Sequence, residues 1–127
     1  MRPDMQIGTT GCVPFIRAYY EAYQNWPAWV NKGLVDFVIL MSYSKDTVEF
    51  NKNIQEAKEK VKDFKRVYIG LPAYKLVQAT KVFIDELKIA RPAGAGSCVI
   101  FHYGSLLENP GLINSLSADQ ELPEKAQ

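Results

Sequence analysis

The sequence predicts an α/β fold built on parallel strands, and three observations carry that expectation. Short apolar segments recur about every thirty residues, the length of one strand–helix unit. Between them, apolar residues fall at helical spacing. The second and third of these strands are apolar on both faces, which suits a parallel sheet covered on both sides rather than an antiparallel one with a wet face.

The elements follow in order. Residues 5–9, MQIGT, read as the first strand. Phe15, Tyr19, Ala22 and Trp26 then form a helical stripe, and Asn25 is placed to cap a second short helix with Pro27 in its first turn, reaching Lys32. Residues 34–43 give the second strand. Asp46 followed by Glu49 has the spacing of a capping box, opening a helix whose stripe is Phe50, Ile54, Ala57, Val61 and Phe64. Residues 66–73 give the third strand. A stripe of Ala79, Phe83, Leu87 and Ala90 follows, until Arg91-Pro92-Ala93-Gly94-Ala95-Gly96 stops it. Residues 97–103 are the fourth strand, and 106–116 a last short helix broken near Asn109-Pro110-Gly111. Residues 1–116 therefore read as one domain of four βα units with right-handed crossovers, and 117–127 as a polar, frayed tail.

Periodicity leaves two architectures open. A small doubly wound domain needs four or five strands; a (β/α)₈ barrel needs roughly 250 residues, so four units would be half of one. In both, chemistry sits beyond the carboxyl ends of the strands.

Composition narrows the partners. With 47% hydrophobic and 12% aromatic residues in 127, the chain has material for one packed core. Fifteen basic and fourteen acidic residues give a net charge of +1, which offers no field for nucleic acid or an anionic membrane. Lys58, Lys60, Lys62 and Lys65 alternate with Glu56, Glu59 and Asp63 and read as a solvated helix face. No run is long enough to span a membrane, and Met1-Arg2-Pro3-Asp4 reads as a start inside a folded region rather than a leader. Cys12 and Cys98 lack metal-ligand spacing; one bridge between them stays open, and two buried free thiols are the expectation. Neither a metal nor a cofactor is expected.

The strand ends carry the functional signal: Gly8-Thr9-Thr10, Met41-Ser42-Tyr43-Ser44, Gly70-Leu71-Pro72-Ala73-Tyr74 and Phe101-His102-Tyr103. None is a phosphate-cradling glycine loop; Gly8-Thr9-Thr10-Gly11 is too short. What converges is aromatic. Aromatic faces suit the C–H faces of sugar rings, and tyrosine hydroxyls bond their oxygens.

The run Trp26-Pro27-Ala28-Trp29-Val30-Asn31-Lys32-Gly33-Leu34-Val35-Asp36-Phe37-Val38 resembles the W-x-x-W-x-x-x-G-x-[IVL]-D-[YF]-[IV] signature of bacterial glycosyl-hydrolase-like TIM barrels. That family was long known only as a domain of unknown function, and some members cleave denuded peptidoglycan glycan strands. Met41-x-Tyr43, Tyr68-Ile69-Gly70-x-x-x-Tyr74 and Phe101-x-Tyr103 are similar to its last three strands, so the likeness covers about residues 5–116. Asp36 to Tyr43 and Gly70 to Tyr74 also resemble the sixth and seventh strands of family 18 chitinases, where the Met and Tyr line a sugar subsite. Ser44 stands where those enzymes carry an Asp, and their DxxDxDxE strand is absent. Both resemblances imply strands five to eight of a barrel, with the general-acid carboxylate on a strand upstream of Met1. They also imply a polysaccharide or oligosaccharide ligand and an extracytoplasmic address.

On this reading Met41, Tyr43, Tyr74, Phe101 and Tyr103 form a substrate wall, and no catalytic residue is assigned. Strand parity sets Phe101 and Tyr103 opposite His102, and the family pattern points the first two inward. His102 is then expected as a satisfied structural histidine. Asp36 lies seven residues before Tyr43, about 23 Å along a strand, so it belongs to the opposite mouth as a structural carboxylate. Trp26 and Trp29 read as helix packing. Glycoside hydrolysis usually needs two carboxyl groups flanking one bond, about 5–10 Å apart. The strand ends offer only Asp46, a helix cap, and Glu108, past the last strand. Whether the chain is itself an enzyme stays open; a wall for polysaccharide hydrolysis, a non-catalytic carbohydrate-binding or scaffold domain, and a doubly wound domain for a phosphorylated ligand are the alternatives. An open half-barrel would join its missing half or self-associate.

Overall fold

Four short strands pair in the order in which the chain makes them. In a computed structural model, which describes residues 2–118, these are β1 (Gly8–Gly11), β2 (Phe37–Leu40), β3 (Val67–Leu71) and β4 (Ser97–Ile100). They form one parallel sheet in the order β1-β2-β3-β4. Between them run α1 (Phe15–Tyr20), α2 (Trp26–Asn31), α3 (Thr47–Lys60) and α4 (Thr80–Ala90). Helices α5 (Tyr103–Glu108) and α6 (Pro110–Ala118) follow the last strand. The break at Asn109-Pro110 falls where proline chemistry puts it. Helix α6 takes in Ser117 and Ala118; the remaining tail, 119–127, lies outside the described residues.

The register sorts the strand residues into two faces. Val38 and Leu40 lie level with Val67 and Ile69, and all four, with Leu71, are fully buried. Trp26, Val30, Phe50, Ile54, Phe83 and Leu87 from α2, α3 and α4 close the same core. The other face carries Phe37, Ile39, Met41, Tyr68 and Val99, all only partly buried. The two-sided cover expected from the sequence is thus one-sided. Phe37 and Tyr68 instead stack on each other, with centroids 4.6 Å apart and planes at 15°.

Local chemistry fixes the helix boundaries. Asp46 caps α3, its Oδ1 accepting the N–H groups of Val48 (2.8 Å) and Glu49 (3.3 Å). The reciprocal half of the capping box is rerouted: Ser44 Oγ accepts the Asp46 N–H and donates to the Glu49 carboxylate. Gly94, at φ 88°, takes the left-handed conformation that ends the turn after α4. The first stripe does not hold. Helix α1 stops at Tyr20, its buried residue is Ala18, and Tyr19 and Ala22 are exposed. Tyr23 then takes a positive φ of 53°, so the stripe never reaches Trp26 as one helix. Asn25 does occupy the cap position of α2, but its side chain makes no capping bond. In the basic run, Lys60 leaves the solvated face to lie over the Phe15 ring at 4.4 Å, while the Glu56 carboxylate accepts the Phe15 N–H at 3.2 Å.

Glu86 sits in the apolar stripe of α4, three residues after Phe83 and one before Leu87. It is fully buried, and neither carboxylate oxygen has a hydrogen-bond partner among the described residues. Burial pushes its pKa up to about 8, so the group is a neutral acid at pH 7. The unfolded chain ionises it near 4.5. Stability is therefore full below that value and falls as pH rises towards 8, by up to ~1.4 kcal/mol per pH unit. Denaturant titrations from about pH 5 to 8 are expected to show this decline in the wild type and a flatter profile in Glu86→Gln.

Candidate functional site

The parallel sheet delivers all four strand exits to one rim, and the residues just past them build the site. β1 exits later than the apolar pattern suggests. Asp36 N–H donates to the Ile7 carbonyl and Asp36 Oδ2 accepts the Ile7 N–H, both at 2.7 Å, which pins residue 7 at the entry of the sheet. Met5 and Ile7 are more than half exposed, and the exit is Gly11, not Thr9-Thr10. Asp36 is accordingly an exposed structural carboxylate at the far mouth.

Past Gly11, Cys12 is held on both sides of its peptide. Its N–H donates to Gln24 Oε1 (2.9 Å), and its carbonyl accepts from Trp26 Nε1 (3.0 Å). Trp26 is thus both core and brace, with Phe15 edge-on at 6.2 Å. Cys12 is free and lines a cleft of about 640 Å³ above the exits of β1, β2 and β3. Val13, Met41, Tyr43, Ser44, Lys45, Tyr74 and Lys75 line the same cleft, with Arg17 from α1 and Glu49 and Asn53 from α3. Cys98 is also free; it lies on β4 away from the cleft, and burial pushes its thiol up against the lowering effect of Arg91.

Of the five expected wall residues, Met41, Tyr43 and Tyr74 line the cleft. Phe101 joins them by ring contact: it stacks on Tyr43 (6.0 Å, 16°) and meets Tyr74 edge-on (5.9 Å, 87°). Tyr43 and Tyr74 are themselves T-shaped at 5.8 Å. Tyr103 stands apart, 71% exposed at the start of α5 and outside the cleft lining. His102 joins the ring cluster instead, outside the cleft lining, stacked on Tyr74 at 6.3 Å and edge-on to Phe101 at 5.5 Å. Strand alternation does not reach these residues, because β4 ends at Ile100. His102 is exposed and held by rings, not the hydrogen-bonded structural histidine expected.

Gly70 explains how Tyr43 lies down. A Cβ there would fall 2.6 Å from the Leu40 carbonyl oxygen and 3.0 Å from Tyr43 Cε1, so the phenol ring rests across bare backbone. Lys75 Nζ then donates to the Tyr43 carbonyl at 2.8 Å and tethers the β2 exit to the turn carrying Tyr74. Beneath, buried Asn53 donates to Ser42 Oγ (3.2 Å), which donates to the Phe50 carbonyl (3.4 Å). This fixes α3 against β2.

Sequence reading passed over Cys12, Arg17, Glu49, Asn53 and Lys75. A signal existed for two of them: Glu49 and Asn53 are four apart on α3, one residue ahead of the apolar pair Phe50 and Ile54. Chemically the cleft combines an aromatic wall with hydroxyl, amide and cationic groups. Among its described lining residues Glu49 is the single carboxylate, and Glu108 lies outside. No group of three His, Cys, Asp or Glu among the described residues converges as a metal site.

Burial, and next the charge of an ionised Tyr74, hold the Tyr43 phenol above its usual pKa of 10.0. Ultraviolet difference titration is expected to show a late-ionising phenol that disappears in Tyr43→Phe. If that variant leaves the high-pH end of the curve unchanged, the partly buried placement of Tyr43 is wrong.

Comparison with protein-family models, curated proteins and solved structures gives no match to this chain.

Proposed function

We propose that the chain is the carboxyl-terminal half of a glycoside-hydrolase-like (β/α)₈ barrel and forms the substrate wall of a saccharide cleft. The observation that carries this is the cluster of Tyr43, Tyr74 and Phe101 over three adjacent strand exits, beside a 640 Å³ cleft. Such rings offer flat apolar faces to a pyranose and phenol groups to its hydroxyls. The barrel part of the reading is supported by topology. A doubly wound sheet reverses its strand order at a switch point and carries helices on both faces. Here the order runs straight through, and the helices close one face.

Glycoside hydrolysis usually takes two carboxyl groups about one bond, and Glu49 is the single candidate among the described lining residues. The chain is therefore expected to hold a glycan without cutting it, the second group coming from the completing half. The same count favours a binding module as the second reading.

Calorimetric titration with N-acetylhexosamine oligomers, including peptidoglycan glycan strands, is expected to show binding that Tyr43→Ala and Tyr74→Ala each weaken about tenfold. Absence of binding to every saccharide sinks the reading. Binding with no hydrolysis, even when the completing half is supplied, moves it to the binding module.

The partly exposed sheet face and the edges of β1 and β4, unpaired among the described residues, predict association. In sedimentation the isolated chain is expected to run as a dimer or larger species. A well-folded monomer at micromolar concentration counts against the half-barrel.

A further inference from the structure

An open sheet calls for a partner, and its two edges specify which one. In β1 the Gly11 carbonyl accepts the Met41 N–H and the Ile7 carbonyl accepts the Asp36 N–H, so the odd-numbered residues face β2. Alternate residues of a strand turn their backbone groups to opposite sides, which points those of Gly8 and Thr10 out of the sheet. At the end of β4 the Phe101 N–H donates to the Leu71 carbonyl, so Cys98 and Ile100 point out at the other edge. Among the described residues no strand pairs with either edge. The outward carbonyls of Thr10 and Cys98 are met by the hydroxyl of the preceding residue, Thr9 at 3.3 Å and Ser97 at 3.4 Å. Folded proteins guard exposed edges with lysine, proline or a bulge. β1 reads Gly-Thr-Thr-Gly and β4 Ser-Cys-Val-Ile, four residues each, with neither a charge nor a proline. The exposed apolar surface gathers in the same two units. Of thirteen large hydrophobic side chains exposed among the described residues, six precede β2 in the unit of β1: Met5, Ile7, Ile16, Tyr19, Tyr20 and Tyr23. Four more follow β4: Phe101, Tyr103, Leu107 and Ile113. At on the order of 100 Å² each, these ten offer about 1,000 Å² per copy, against the ~800 Å² a stable interface takes from each partner.

We propose that a second copy of this chain closes the sheet, β4 of each copy pairing in parallel with β1 of the other, to give an eight-stranded barrel with a two-fold axis along its length. The proposal rests on the half-barrel part of the functional reading and names the completing half. A partner that closes the cylinder must offer β1 an edge like β4, offer β4 an edge like β1, and span four strands between them. The chain meets all three conditions itself. Four βα units are half of an eight-stranded barrel, so closure comes at two copies and leaves no edge. Because both seams are parallel, all eight strand exits open at one mouth. Each cleft then gains its opposite wall from the second copy, a further set of Tyr43, Tyr74 and Phe101.

The test uses the full chain and reads the edges directly. Sedimentation equilibrium is expected to show a dimer that gives no larger species as concentration is raised. Thr10→Pro deletes an outward N–H without touching a bond to β2. Thr10→Lys puts a charge on a side chain that shares the open face with Ile39 and that closure would bury. Both variants are expected to run as monomers with the circular dichroism of the wild type. Hydrogen exchange followed by NMR adds a readout across the seam. The Ile100 N–H on β4 is expected to exchange at least tenfold more slowly in the wild-type dimer than in Thr10→Pro, although the substitution lies on β1. Fast exchange of the Gly8, Thr10 and Ile100 N–H groups in the wild-type dimer overturns the proposal, whatever the variants do. A dimer that survives both substitutions docks by another surface and overturns it. Open-ended growth shows that the seams do not close and overturns it too, leaving the half-barrel standing. A folded wild-type monomer overturns the proposal together with the half-barrel, while saccharide binding, measured separately by calorimetry, decides the aromatic wall on its own.

Discussion

Side chains that are far apart in the chain meet at one rim because the strands are parallel and consecutive. Each crossover must bring the chain back across the same face in the same hand, so the helices collect on one side and every strand exits in the same direction. The dry layer that enforces this is small. Val38, Leu40, Val67, Ile69 and Leu71 meet Phe50, Ile54, Phe83 and Leu87, each buried side chain contributing about 1.5–3 kcal/mol. Cys12, Tyr43, Tyr74 and Phe101 come within reach of one cleft or ring cluster only because that layer holds β1 to β4 in register.

The two faces of the sheet have different work. The covered face is the core. The other face, with Phe37 stacked on Tyr68 below and Met41 and Tyr43 above, is apolar but half open. A barrel interior has that character, and so does a ligand wall. Gly70 joins the two roles, since its missing side chain lets Tyr43 lie flat where the face meets the cleft.

Buried polar groups divide in a similar way. Asn53 and Ser42 are satisfied by each other and by the Phe50 carbonyl, so their burial fixes α3 on β2 at modest cost. Glu86 is buried with no hydrogen-bond partner for either oxygen among the described residues and is carried as a neutral acid. One pair positions the cleft; the other group makes the fold depend on pH.

Pattern alone was enough for a parallel α/β fold, the order of elements, the Asp46 cap, the break at Asn109-Pro110 and the packing role of Trp26. These depend on spacing and local backbone chemistry, which the chain writes directly. The ends of the apolar runs also placed Met41, Tyr43 and Tyr74 at the strand exits, where they line one cleft, while Phe101 was singled out by the family resemblance and meets Tyr43 and Tyr74 by ring contact. The exit of β1 was misplaced because Met5 and Ile7 are apolar yet exposed, and the Asp36–Ile7 pairing that fixes the register joins residues 29 positions apart. His102 displaced Tyr103 because alternation stops with β4 at Ile100. Cys12, Arg17, Glu49 and Lys75 come to the cleft from separate elements, and burial of Glu86 needs neighbours on other helices and the sheet. Local periodicity is a property of the chain. Convergence and desolvation belong to the packed molecule.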